Sequence, residues 1–511
     1  MSQQTKVRPV GGATEGGGRK APERRLGVFP IVIMIIGASA PLLVVVGGAT
    51  TAYSVTASSA LPAAYVLLAI VLAIFAIGYT AMSRFITNAG AFYAYAARGL
   101  GKPFGVGVSF VALVAYNFMQ IGIYGMFGFQ VSELVNSWFG LSIPWWLPVL
   151  VGIAIVGYLG VNSVDVSAKV LGVVVVLEFV LVIVFDIFAF ANTAEGFTAR
   201  PISPASLFTP GIGAVLAFGI AAFMGFESAA IYSEEAKDPR RTVTRATFIA
   251  VVITGTFYAI SSWALSLAVG PEKIDSGAIA PDEAGPPLLF NFVATHMGVI
   301  VVDIISVLFI TSLFAALVAF HNVVARYLYS LGREQVLPTA LAKVGQKSNS
   351  PWVGSLTQTI LATVVIIGFA IAGHGSEFGN LYPVVTLFSW LTNTGALGLV
   401  MLMAFTSLSI IGFFAKTKTD VGALQRIIAP AIAFVGLASV FVLIVVNFNV
   451  LLEQEKPNLL TFLLPALVIA PGFFGTVWAR WLQKNRPSVY ERIGYGSEDV
   501  EYVKPAGIAI D

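Results

Sequence analysis

Apolar residues along this chain come in long blocks rather than in alternation. Twelve such blocks fall near residues 28–54, 61–85, 104–132, 145–161, 168–190, 210–233, 246–269, 294–328, 353–373, 380–413, 426–449 and 460–482. They are numbered here as segments 1 to 12. A helix that crosses a bilayer needs about 20 mostly apolar residues. Most blocks reach that length, and polar connections rich in Gly, Pro, Lys and Arg separate them. The pattern predicts an all-α integral membrane protein with about twelve transmembrane helices.

Composition agrees. Of 511 residues, 57% are hydrophobic and 11% charged, against about 25% charged in soluble domains. The mean hydropathy is +0.87. There is no cysteine, which excludes disulfides, thiolate metal sites and cysteine nucleophiles. Residues 1–25 are polar, Gly-rich and basic and predict a disordered tail. No short apolar stretch precedes a small-residue cleavage site, so no cleaved signal peptide is expected. Charge sets the orientation. With the N-terminus inside, only Arg200, Lys273 and Lys456 of the 29 Lys and Arg residues fall outside. The opposite orientation would expose nearly all of them. Both termini are therefore expected in the cytoplasm.

Two segments are interrupted. Segment 1 contains "IMIIGASAPLLVVVGG", with Gly37, Ala38, Ser39, Ala40 and Pro41 in succession. Proline removes an N–H donor and clashes with the preceding turn. Segment 1 alone is compatible with a true break or with a simple proline kink. Segment 6 contains "AFMGFESAAIY" (222–232), with Gly225 two positions before Glu227. Glycine permits backbone that other residues resist. A carboxylate just past such a break meets the positive end of the next half-helix. Glu227 could equally be hydrogen-bonded between packed helices with no part in transport, although acids inside membranes mark function by default. Interruptions in segments 1 and 6 are equivalent positions of two five-helix halves. This is the inverted-repeat pattern of secondary transporters, whose sites lie at broken helices near the midplane.

Three stretches strengthen the reading. "MGFESAAIYSEEAKDPRRTVTRAT" (224–247), "NAGAFYAYAARGLGKPFG" (88–105) and "FHNVVARYLYSLGREQVLP" (320–338) occur in order, toward the expected cytoplasmic side. Together they resemble the signatures of the amino acid–polyamine–organocation (APC) superfamily of permeases, over about residues 26 to 485. The resemblance implies a LeuT-type fold of 5+5 inverted repeats with broken helices 1 and 6. The repeats would be 26–193 and 194–415, with two further helices in 416–485 and a cytoplasmic C-tail at 486–511. It implies transport of amino acids, polyamines or related amines, by proton symport or exchange. Carried over, Ala38, Ser39, Ala40, Pro41 and Leu42 would hold the substrate carboxylate on free N–H groups. The carbonyls of Ala222, Phe223 and Met224 would take the ammonium beside Gly225, and Phe226 would flank the substrate. The dipole ends of the two half-helices suit a zwitterion. Two departures stand out. Many members carry a Gly-Ser-Gly type motif where this chain has "ASAPLL", and Pro41 has no N–H to give. Ala221 occupies the place of a gating tryptophan in certain amine–amino acid exchangers.

Glu178, in "SAKVLGVVVVLEF" of segment 5, aligns by this resemblance with a lysine of some proton-coupled members. That lysine substitutes for a sodium ion near helices 1 and 8. A carboxyl there could bind and release a proton, or sit protonated or paired for packing alone. Glu178 and Glu227 are thus the two acids expected in proton coupling, Glu178 as the titrating group and Glu227 as an organiser of the break. Asp186 and Asp303 are expected near the outer interface. Asn117, Gln120 and Tyr124 share a face of segment 3 by spacing, and Asn117 and Gln120 are expected near substrate. Such groups, like Ser306, Thr311 and Ser312 or Trp390, Asn393 and Thr394, often serve as interhelical glue instead.

His296, His321 and His374 show no metal-binding spacing, and no P-loop is present. No cofactor, metal or nucleic-acid partner is expected, and the chain is not expected to be an enzyme. The partners are a small-molecule substrate, protons and the lipid bilayer. Two broken helices disfavour a channel, and residues 484–511 are too short for a signalling domain. The reading is a secondary active amino acid transporter of the bacterial cytoplasmic membrane, with a polyamine or other small amine such as putrescine or ethanolamine as the alternative substrate. Single cysteines introduced in 54–60, 191–209 or 271–292 should label from outside. Outside labelling at 238–244 instead would invert the orientation.

Overall fold

The computed structural model describes residues 27–86, 92–162, 168–226, 236–345, 348, 350–417 and 419–494. Among the described residues there is no β-strand. Nine helices among them are long and apolar enough to cross a membrane. They are Leu61–Met82 (segment 2), Lys102–Phe139 (3), Gly172–Ala191 (5), Arg241–Val269 (7) and Val299–Arg333 (8), then Trp352–Ala372 (9), Gly379–Lys416 (10), Leu424–Val446 (11) and Leu459–Asn485 (12). Shorter apolar helices occupy the other predicted segments: Val28–Gly37 and Leu43–Thr56 in segment 1, Trp146–Val161 in segment 4, and Ile212–Ala221 in segment 6.

Local sequence explains the boundaries. Segment 3 continues to Phe139, where Gly140 turns left-handed (φ 66°) and returns its N–H to Asn136, a glycine C-cap. Segment 8 begins at Val299 rather than at 294. Gly298 has φ 91°, and the apolar residues before it form a separate helix, Pro287–His296. The segment 7 helix starts at Pro239 after Asp238, whose side chain accepts the Arg241 N–H at 3.3 Å. Aspartate as N-cap followed by proline is a strong start signal.

Segment 3 lies at the centre, packed on segments 8, 10 and 12. Segment 2 packs on 7 and 11, segment 4 on 9, and the first half of segment 1 on 5 and 7. Segments 3 and 12 meet backbone to backbone. A Cβ on Gly475 would lie 2.8 Å from the Val106 carbonyl oxygen, and one on Gly107 would lie 2.6 Å from that of Gly472. Small residues allow such approach in membranes. Outward faces stay apolar: Val176, Val180, Ile183 and Ile187 of segment 5 are exposed, as lipid requires.

Polar contacts gather at the two ends of the bundle. At one end, Asp275 accepts the Ser59 N–H (2.6 Å) and hydroxyl (3.0 Å) and pairs with Arg200 at 2.7 Å. Lys273 pairs with Glu283 at 2.7 Å. At the other end, Glu334 accepts from the Tyr93 hydroxyl and from the Gly494 N–H (3.2 Å), while Lys102 donates to the Glu491 carbonyl at 2.7 Å. Loops predicted on a common side thus do meet. Gly475→Val should lower thermal stability by about 1–3 kcal/mol, the usual cost of overpacking. Unchanged melting of the purified variant would contradict the close crossing of segments 3 and 12.

Candidate functional site

Segment 1 is broken, not merely kinked. Its first helix, Val28–Ser39, ends at Ala40, which has φ 51° and ψ 88°. A non-glycine residue in left-handed backbone costs about 1–2 kcal/mol. Pro41 follows and has no N–H. The chain then re-enters a helix that is π-wound over Leu43–Ala49 and regular over Thr50–Thr56. Segment 6 stops at Ala221 and passes into tight turns. Phe223, Met224 and Phe226 donate their N–H groups three residues back, to Ile220, Ala221 and Phe223. Gly225 has φ 105°, backbone that a side chain would strain. Glu227 lies outside the described residues.

Between the two interruptions is a narrow cavity of about 40 Å³, room for about three waters. Segment 1 contributes Ser39, Leu43, Val44 and Gly48 to its lining, and segment 6 contributes Phe218, Ala221, Ala222 and Met224. Tyr65, Met119, Ile123, Phe320, Phe388 and Thr392 close it from segments 2, 3, 8 and 10. Segment 10 is itself π-wound over Pro383–Leu391 beside the cavity, a distortion common at functional sites. The lining is almost wholly apolar, and no carboxylate among the described residues faces the space.

Of the sequence-predicted site residues, Ser39, Ala222 and Met224 line this cavity. Ala40, Pro41 and Leu42 form the break beside it, and Ala38 lies in the last turn of the helix before it. Phe223 is packed edge-on against Tyr65, with centroids 6.2 Å apart, and Phe226 against Phe75 at 6.0 Å. Asn117 donates to its own helix at Leu113 (2.8 Å). Gln120 turns away from the cavity. It accepts from Gln358 at 2.5 Å, lies 3.4 Å from His321 Nδ1, and donates to Leu317. His321 Nε2 in turn meets Ser355 Oγ at 2.7 Å. Spacing alone missed Tyr65, Phe218, Phe320, Phe388 and Thr392. Met119 and Ile123, which line the cavity from segment 3, were not singled out either.

Glu178 holds the break together. Its Oε2 accepts the Leu42 N–H at 3.2 Å and the Ser312 hydroxyl at 3.0 Å, and the residue is 2% exposed. Leu42 opens the second half of segment 1, so the carboxylate meets a freed amide at a positive helix end. Sequence reasoning gave that task to Glu227 in segment 6; in segment 1 it falls to Glu178. Ser39 donates to Ile36 and pairs with the Tyr258 hydroxyl at 2.9 Å, which ties the break to segment 7. Asp186 turns inward, which the sequence did not show. It is only 7% exposed and accepts from Ser261 of segment 7 at 2.7 Å. Asp303 is partly exposed and accepts from Trp138 at 2.8 Å.

A bundle of apolar helices around a small cavity at two helix interruptions matches the way secondary transporters build their sites. The chain belongs to the amino acid permease family, whose model matches residues 30–485. It is a multi-pass membrane transporter of the APC superfamily. It is 25% identical over 405 residues to the low-affinity putrescine importer PlaP of Escherichia coli (strain K12), covering 76% of this chain and 81% of that one. It is 24% identical over 402 residues to the branched-chain amino acid permease BcaP of Lactococcus lactis subsp. cremoris (strain MG1363), with 74% and 80% covered. A gamma-aminobutyric acid permease of Bacillus subtilis (strain 168) is 24% identical over 375 residues, with 70% and 74% covered.

Glu178→Ala strands two buried donors, and each unsatisfied group costs about 1–3 kcal/mol. The variant should melt measurably lower than wild type, whereas Glu178→Gln, which keeps an acceptor oxygen, should lose less. Equal melting of both variants would mean that the carboxylate does not hold Leu42 and Ser312.

Proposed function

We propose that the chain is a secondary active amino acid transporter of the bacterial cytoplasmic membrane, working by alternating access and coupled to protons. The observation that carries this reading is the cavity bounded by both helix breaks. The amino acid carboxylate would sit against the broken segment 38–42, where the Ala40 N–H is returned to Ile36 and the Leu42 N–H is held by Glu178, so it takes the Leu42 amide only when Glu178 lets go. The ammonium would sit against the carbonyls of Ala222, Phe223 and Met224, so that the zwitterion spans opposite helix ends. The side chain would then project among Met119, Ile123, Phe320 and Phe388. That lining favours an apolar, branched-chain type of substrate. It disfavours a diamine, whose second ammonium would lie unpaired in apolar surroundings at a cost of several kcal/mol. The twelve-helix arrangement with repeats over 26–193 and 194–415, two further helices in 416–485, and both termini cytoplasmic belongs to the same proposal.

Coupling is assigned to Glu178, which touches both the break and segment 8. Protonation would weaken its hold on the Leu42 N–H and Ser312 and so bias the break. Glu227 is assigned to organising the segment 6 break.

Two measurements test the reading. In a thermal-shift screen of the purified chain, leucine or isoleucine should stabilise it, by about 2.7 kcal/mol at a hundredfold excess over Kd. Putrescine should leave it unmoved, and the reverse pattern would replace the amino acid with the amine. In proteoliposomes, uptake should persist when choline replaces sodium and should follow an imposed pH gradient. Glu178→Gln should lose that accumulation yet keep counterflow, while Glu227→Gln should damage binding itself. A strict sodium requirement would refute proton coupling.

A further inference from the structure

Segment 5 carries a second buried carboxyl. Asp186 lies eight positions beyond Glu178, about 12 Å along the same helix. Its Oδ2 accepts the Ser261 hydroxyl at 2.7 Å, and its Oδ1 is buried without a hydrogen-bond partner. The residue is 7% exposed.

The groups around it offer no counter-charge. Segment 7 presents Ser261 and, one turn away, Tyr258. Segment 1 presents Ser39, paired with Tyr258, and Tyr53, whose hydroxyl donates to the Ser262 carbonyl at 2.6 Å. The helix Pro287–His296 presents Phe292, edge-on to Phe185 with centroids 5.6 Å apart. His296 stacks on Phe292 and bonds that residue's carbonyl at 3.0 Å. On segment 8, Ser312 serves Glu178 and Asp303 serves Trp138. Among the described residues, no Lys or Arg forms an ion pair with Asp186. A carboxylate with one hydrogen bond and no counter-ion is costly to bury. The neutral acid fits these surroundings, and the charged one needs water or an open path.

Hydroxyls cover part of the way between the two acids. Ser261 and Tyr258 are three apart on one helix and share a face. Tyr258 reaches Ser39 at the break, at 2.9 Å.

We propose that Asp186 is a second proton-binding residue of this transporter, an outer station from which Glu178 is loaded. In the step, the Asp186 carboxyl gives up its proton and becomes a carboxylate. The Glu178 carboxylate takes a proton and becomes the acid. Ser261, the Tyr258–Ser39 pair and water in the gaps on either side of that pair hand it on, and each ends as it began. The relay rests on the reading that Glu178 carries the coupling proton.

The test uses the full chain in proteoliposomes, with leucine as the transported probe. Infrared pH titration reads protonated carboxyls directly through their C=O stretch. Asp186→Asn should remove one titrating band and Glu178→Gln a different one. Asp186→Asn should also slow pH-driven leucine uptake by about a hundredfold or more, the lower end for loss of a proton-transfer group, with counterflow unchanged. Ser261→Ala should move the pH at which the Asp186 band titrates and leave the Glu178 band in place. No band lost in Asp186→Asn, or full pH-driven uptake in that variant beside loss in Glu178→Gln, overturns the station while leaving the Glu178 reading intact. Undiminished pH-driven uptake in Glu178→Gln fails that reading, and the relay with it. If Asp186→Asn does not assemble, Ser261→Ala decides alone, and an unmoved titration overturns the proposal.

Discussion

The amide of Leu42 has no carbonyl of its own helix to bond, and the site is built around that deficit. Ala40 turns the chain left-handed, and Pro41 brings no donor, so the first free N–H of the second half-helix belongs to Leu42. Glu178 satisfies it from another helix and binds Ser312 with the same oxygen. A hydrogen bond to a charged group contributes about 1.5–3 kcal/mol, comparable with what the left-handed turn costs. The break is therefore held by a contact whose strength depends on the charge of one carboxyl. Segments 1, 5 and 8 are joined at one oxygen atom, beside the cavity.

Behind the apolar lining lies a second, polar layer. Met119 and Phe320 face the cavity, and their chain neighbours Gln120 and His321 face away, into a network with Gln358 and Ser355. Hydrogen bonds between such buried groups fix helix register, although the Gln358 Oε1 itself has no partner. This network joins segments 3, 8 and 9. Gly160 of segment 4 leaves room for it, since a Cβ there would lie 2.6 Å from His321 and Ser355. Shape and specificity are thus separated: apolar side chains form the wall, and polar ones keep the helices behind it in register.

Much of the fold could be read from the sequence because membrane helices must be long and continuously apolar. The positions of both interruptions were readable too, since proline and glycine act locally: Ala40–Pro41 and Gly225 fall where the backbone leaves the helix, although segment 1 read alone fitted a kink as well as a break. What the sequence did not show was facing. Glu178 meets Leu42 across 136 positions, and no periodicity carries that pairing. Hydropathy gave the rough depth of Asp186 but not that it turns inward to Ser261. The shared face of Asn117 and Gln120 was correct spacing, but the face does not point at the cavity. The π-wound stretches of segments 1 and 10 had no signature, because they arise from packing. Glu227 lies outside the described residues, so its placement beside Gly225 rests on sequence alone.

Where segments 3 and 12 cross, Gly107, Gly472 and Gly475 leave main chain against main chain. Side chains can change rotamer and let two helices slide; peptide groups in contact have no such slack. Any shift between segments 3 and 12 would have to move main chain against main chain at these points, with no side chain in between to change rotamer and absorb it.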